Sequence, residues 1–367
     1  MIGNIVCELP PSKENSRNSE GAFIVLKDGR LLFAWSRYGA VSDDGAAADI
    51  YAMISEDEGE TWGAPFILIT RQEVDAHNIM SVSFMRMQNE DMGMFFLKKK
   101  NSDCVCMFVR SADEGETWSA PVVCSEPEGY FVVNNDRIVR ANTGRILIPA
   151  AKHELKITIN EDGSITEEII RTDGELYVFA SDDDGYTFRT IAEHICIPVS
   201  SGLVRGVQEP GLLQLDEKKI WCYIRNDSCR QYECFSEDDG ATWTQPLPSQ
   251  FTSDLSPLCA KRLMDGRIIA VWNPIPVYPL LYLFPEVANS PWSGERTPLT
   301  LAISSDNGKS FPQIINLETE KQRGYCYTAI HETTDNSILL AYCAGGIEDG
   351  GILCRLRIRK ISLDELQ

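Results

Sequence analysis

The chain of 367 residues has no apolar run approaching the roughly 18 residues of a membrane-spanning helix, and no long segment with helical periodicity. Strands must therefore carry the fold. Cations are scarce: 34 lysines and arginines face 54 aspartates and glutamates, a net charge of −20. Such a field argues against nucleic acid or an anionic membrane as partner, and an anionic small substrate would need a local arginine cluster. Histidines number only 4, so a three-histidine metal site would consume nearly all of them. Neither metal nor cofactor is expected. The N-terminal stretch MIGNIVCELPPSKENSRNSE has no basic region followed by an apolar one, and a cytoplasmic location is expected. The 12 cysteines are scattered through apolar strand-like runs such as IWCYI and LLAYCAG, which reads as reduced core thiols.

What is present is repetition. Ser-x-Asp-x-Gly-x-Thr-Trp/Phe occurs as SEDEGETW from Ser55, SADEGETW from Ser111, SDDDGYTF from Ser181 and SEDDGATW from Ser236, with a looser SSDNGKSF from Ser304. In each copy the aspartate can accept backbone N–H bonds, the glycine can take positive φ, and the aromatic residue can anchor the turn between strands. One reaction centre does not need its acid five times, so these turns read as architecture. Between them run hairpin patterns: IVLKDGRLLFAW from Ile24, SFMRMQNEDMGMFFL from Ser83, IVRANTGRILIPA from Ile138, LLQLDEKKIWCYI from Leu212, KRLMDGRIIAVW from Lys261 and AIHETTDNSILLAY from Ala329. The turns recur at alternating intervals of about 55 and about 70 residues, enough for four short strands per period. Six such units predict an all-β, six-bladed β-propeller as a single domain over residues 1–367. The N-terminal strand around Ile5 to Leu9 is expected beside GILCRLRIRKISL, closing the ring.

The acidic turns resemble the Asp boxes, or BNR repeats, of the sialidase (neuraminidase) superfamily, and the resemblance covers essentially the whole chain. It implies chemistry where the first strand of each blade begins. The segments there are SRNSEGAF, DAHNIMS, NNDRIV, VQEPGLL, DLSPLC and GYCYTAI, which begin at Ser16, Asp75, Asn134, Val207, Asp254 and Gly324. The family's tyrosine nucleophile corresponds to Tyr327, with Tyr325 as its competitor on the same face by strand alternation, and the assisting glutamate to Glu209. The resemblance implies that Arg225, Arg296 and Arg17 bind a carboxylate. Arg37 closes the first hairpin near Arg17, but the family's Arg-Ile-Pro is replaced by Arg17-Asn-Ser-Glu-Gly, which adds Glu20. For the acid/base, Asp43 is preferred and then Asp44, in GAVSDDGAAAD. Asp136 and Arg137 offer a second carboxylate grip, and His77 a hydroxyl-binding or acid/base group. The activity implied is a retaining exo-sialidase acting on a terminal acidic sugar. Alternatives are another glycosidase, a uronate-directed lyase, or a glycan-binding propeller without catalysis.

Overall fold

The computed structural model describes residues 2–126, 128–159, 165–198, 206–253, 255–274 and 296–366; within 155–173 the backbone alone is described. Asp254 lies outside these residues. Strands dominate, and the helical content among them is two short 3₁₀ turns at Ile347–Asp349 and Leu363–Leu366.

The strands fall into antiparallel four-strand units. The first holds β2 (Asn18–Val25), β3 (Leu31–Tyr38), β4 (Ala48–Ser55) and β5 (Phe66–Ile69). The second holds β6 (Asn78–Arg86), β7 (Met92–Lys100), β8 (Asp103–Ser111) and β9 (Val122–Val123). A short β10 (Tyr130–Val132) bridges it to the third unit: β11 (Val139–Arg140), β12 (Ile146–Ile159), β13 (Ile165–Ser181) and β14 (Arg189–Ile195). Through that bridge the second and third units form one nine-stranded sheet. The fourth is β15 (Gln208–Gln214), β16 (Ile220–Arg225), β17 (Arg230–Ser236) and β18 (Leu247–Thr252). The fifth is β19 (Cys259–Arg262), β20 (Ile268–Trp272), β21 (Leu299–Ser304) and β22 (Gln313–Glu318). The last is β23 (Cys326–Glu332), β24 (Ser337–Cys343) and β25 (Leu356–Ser362), with β1 (Asn4–Leu9) paired antiparallel to β25.

Period-two alternation explains how the units stack. In β3, Leu32 and Ala34 enter a cluster shared with the second unit, while Leu31, Phe33 and Trp35 enter one shared with the last. In β20, Ile268, Ala270 and Trp272 face the fourth unit, and Ile269 and Val271 face the last. Each sheet is thus apolar on both faces, which is why its strands read as nearly continuous hydrophobic runs. Every fully buried Leu, Ile or Phe adds about 1.5–3 kcal/mol to these contacts.

The acidic turns fold by local bonds. Ser55 Oγ donates to Asp57 Oδ1 and accepts from Gly59 N, both at 2.8 Å, while Asp57 accepts from Thr61 N at 2.8 Å and Thr61 Oγ1 at 2.5 Å. The same set recurs around Asp113, Asp183, Asp238 and Asp306. Trp62, Trp118, Phe188, Trp243 and Phe311 each join or pack against a different cluster between sheets. All 12 cysteines are free thiols.

Candidate active site

The first strands of four units share a local fault. Ladder register breaks between Ser19 and Ala22, Met80 and Ser83, Gln208 and Gly211, and Cys326 and Ala329. Inside each break sits a non-glycine residue at positive φ: Glu20 (58°), Ser81 (60°), Glu209 (39°) and Tyr327 (58°). Such conformations cost on the order of 1–3 kcal/mol each, so the surrounding sheet must impose them. Their product is convergence, because all four side chains line one cavity of about 300 Å³. Close packing fixes the kinks from behind. A Cβ on Gly211 would come within 2.3 Å of the Tyr223 ring, and one on Gly21 within 2.3 Å of Phe33.

Along one wall, Tyr327 Oη donates to Glu209 Oε1 at 3.0 Å, and Arg225 Nη1 donates to Glu209 Oε2 at 2.5 Å. Burial, then the Glu209 charge, raises the Tyr327 phenol well above its ordinary value despite Arg296 and Arg225. The Arg296 guanidinium carbon stands 5.3 Å from the Tyr327 ring centre, and Nη1 donates to Cys326 Sγ at 2.8 Å. Burial pushes the Cys326 thiol up, but a hydrogen bond with Cys343 and the Arg296 charge outweigh it and bring it down to about 7.

The facing wall carries an ion cluster in which Arg17 and Glu20 are buried and Asp44 is exposed. Arg17, 1% exposed, donates from Nη2 to Glu20 Oε1 at 2.8 Å, from Nη1 to Asp44 Oδ1 at 2.5 Å and Ser42 O at 3.2 Å, and from Nε to Ser19 Oγ at 2.9 Å. Glu20 Oε2 accepts from Ser81 Oγ at 2.7 Å. Burial raises the Glu20 carboxyl more than Arg17 lowers it. Asp44 lies on the other side of its ordinary value: burial would lift it, and the charge and hydrogen bond of Arg17 pull it lower. Lys99, Tyr130, Asn134 and His153 complete this side of the cavity.

The family model described as the BNR repeat-like domain matches residues 29–340. The chain belongs to that family. No curated protein sequence matches it. Among solved structures, a protein of unknown function from Dyadobacter fermentans aligns with a TM-score of 0.70 and 14% identity over 98% of this chain and 99% of that one. The intramolecular trans-sialidase from Ruminococcus gnavus aligns at 0.68 with 13% identity over 99% and 98%, and NanB sialidase from Streptococcus pneumoniae at 0.69 with 11% over 100% and 71%. At those identities the likeness is one of fold.

Within this BNR repeat-like fold, the residues singled out by sequence divide into those at the cavity and those away from it. Tyr327, Glu209 and Asp44 line it; Arg225 and Arg296 stand directly behind the first two; and Arg17 stands behind Asp44 and Glu20. Asp43 and Asp44 are both exposed, but only Asp44 lines the cavity, where its side chain accepts a hydrogen bond from Arg17. Arg37 lies 4.3 Å over the Tyr51 ring, and His77 is exposed. Asp136 Oδ2 accepts from Ile330 N at 2.9 Å. Arg137 is 1% exposed and stacks 5.5 Å over Tyr223. None of these last four lines the cavity. Tyr325 is not the equal of Tyr327, because the kink at Tyr327 breaks the alternation and leaves Tyr325 in the core beside Tyr342. Sequence reasoning gave no role to Ser81, Lys99, Tyr130, Asn134 or His153. Ser81 and Asn134 stand in the polar segments at the strand starts; the other three have no comparable signal.

Proposed function

We propose that the six units form a single closed six-bladed propeller and that the chain is a retaining glycoside hydrolase acting on a terminal, acidic sugar. Hydrophobic clusters between consecutive units, including the one between the last and the first, support the closure. The observation that carries the chemistry is the 3.0 Å bond from Tyr327 to Glu209 on the cavity wall. A phenol attacks an anomeric carbon only as its oxygen loses a proton, and Glu209 Oε1 is positioned to take it. A neutral tyrosine suits an anionic sugar because a carboxylate nucleophile would repel it.

In this reading, Tyr327 Oη bonds to the anomeric carbon as the glycosidic bond breaks, and the leaving oxygen takes a proton from Asp44. Water then attacks the same carbon, Asp44 accepts its proton, and the phenol is restored with retained configuration. Arg225 and Arg296 supply positive charge around the phenolate. Release of free sialic acid from α-linked sialosides, lost in Tyr327→Phe and Glu209→Gln, tests the proposal. No release by wild-type protein from any linkage would overturn it.

A second reading rests on Arg17. Its bonds to Glu20 and Asp44 occupy the guanidinium expected to grip a sialic acid carboxylate, which favours a different sugar reaction, another glycosidase or a uronate-directed lyase. Unsaturated uronate absorbance on incubation with uronate-containing glycans would decide for the lyase.

A further inference from the structure

Each carboxylate of the cavity is paired with an arginine. Glu20 and Asp44 share Arg17, and Glu209 is held by Arg225. Arg17 spends four of the five N–H donors of a guanidinium on Ser19, Ser42, Glu20 and Asp44, and is absent from the cavity lining.

Lys99 differs on every count. It is the only lysine or arginine among the described residues that line the cavity. Its Nζ donates to the backbone oxygen of Asp44 at 2.8 Å and stands 5.8 Å from the Tyr130 ring centre. Among the described residues no carboxylate oxygen lies within the 4.0 Å of an ion pair with it. Lys99 and Arg17 thus flank the same residue, Asp44, one from its backbone and the other from its side chain. Arg17 pairs directly with carboxylates, whereas Lys99 feels Asp44 and Glu20 only from beyond ion-pair distance.

An anionic sugar entering a cavity lined by three carboxylates, in a chain of net charge −20, must place its negative group at a cation free to meet it. We propose that Lys99 receives the acidic group of the bound sugar, in the place expected of Arg17, and that Arg17 is a positioning residue for Glu20 and Asp44. The ligand class is a carboxylated monosaccharide at a glycan end. This inference rests on the reading of the cavity as a sugar site, and it does not require turnover. Lysine meets a carboxylate as a point charge on a mobile stem, so it tolerates more than one placement of the acid, unlike the bidentate fork of arginine.

Calorimetric titration of the full chain with sialic acid and with its methyl ester, and with glucuronic acid and its methyl ester, tests the proposal. Wild-type protein is expected to prefer the acid of at least one pair by about tenfold or more, as for a hydrogen bond to a charged group. Lys99→Met should remove that preference while leaving ester affinity unchanged, and Lys99→Arg should restore most of it. Lys99→Gln serves as the second uncharged variant if the first does not fold. Equal affinity for acid and ester in both wild-type pairs overturns the proposal, as does a preference that survives in the uncharged variant. Lys99-dependent binding without sugar release would keep this inference and remove the hydrolase; sugar release with an unaltered acid preference in Lys99→Met would do the reverse.

Discussion

Tyr327 and Glu209 meet at 3.0 Å although each is held at positive φ, 58° and 39°, in a different sheet. Two strained backbones are therefore spent on one hydrogen bond. If that bond activates the phenol, Tyr327→Phe and Glu209→Gln should each lower sugar release by about 10²- to 10⁴-fold. Neither change should move the thermal midpoint enough to explain the loss. Steady-state rates beside melting curves give the check.

Asp44 carries the pH dependence. Arg17 holds its carboxyl below the ordinary value, so the proton-donating form is favoured at acid pH and disappears as pH rises through that lowered value. Release from a sugar–sugar linkage should consequently be fastest in acid and fall toward neutrality. An aryl glycoside with a good leaving group needs little protonation, and its rate should lack this fall. Arg17→Met should move the fall to higher pH, which parallel pH–rate profiles would reveal.

Arg17 also matters to stability. Arg17→Met leaves Glu20, 3% exposed, without its cation, and should destabilise by about 3–5 kcal/mol. Glu20 already titrates above its unfolded value, so folding takes up a proton between the two values and stability declines as pH rises through that window. Loss of Arg17 raises the folded value further and steepens the decline. Urea midpoints at pH 4 and 7 should differ more in Arg17→Met than in wild type, and Arg17→Met/Glu20→Gln should regain part of the loss.

The acidic turns predict the opposite slope. Hydrogen bonds from Thr117 and Ser111 hold Asp113 at about 2, and bonds from Ser310 and Ser304 do the same for Asp306. Their stabilisation is complete above the unfolded carboxyl value, about 4, and is lost as pH falls toward 2. Asp113→Asn should flatten the acid limb of a stability profile followed by circular dichroism. It should leave sugar release at neutral pH unchanged, since the turn lies outside the cavity lining.

The repeat was legible because its causes are local. The bonds that Ser55 and Asp57 make to shape SEDEGETW join residues no more than four apart, and the β2–β3 hairpin closes through a short turn. Alternation along β3 and β20 likewise follows from the strand itself. The kinks are another matter. No composition rule announces that Glu20, Ser81, Glu209 and Tyr327 will adopt a conformation usually left to glycine, and strand alternation predicted Tyr325 and Tyr327 on one face. Glu209 and Tyr327 were found through resemblance, whereas Lys99 is the middle of the three lysines that end β7 and looks like part of a solvated strand end. Asp43 and Asp44 cannot be told apart without knowing where the Arg17 guanidinium stands.

The kinks have an evolutionary consequence. One backbone conformation, written into four sheets, presents a carboxylate, a hydroxyl, a second carboxylate and a phenol to the same space. Replacing the residue at a kink alters the cavity's chemistry, while the clusters that join the sheets draw on other positions of the same strands. Such a scaffold can exchange one reactant at a time while keeping its shape, so relatives with the same fold need not share a reaction.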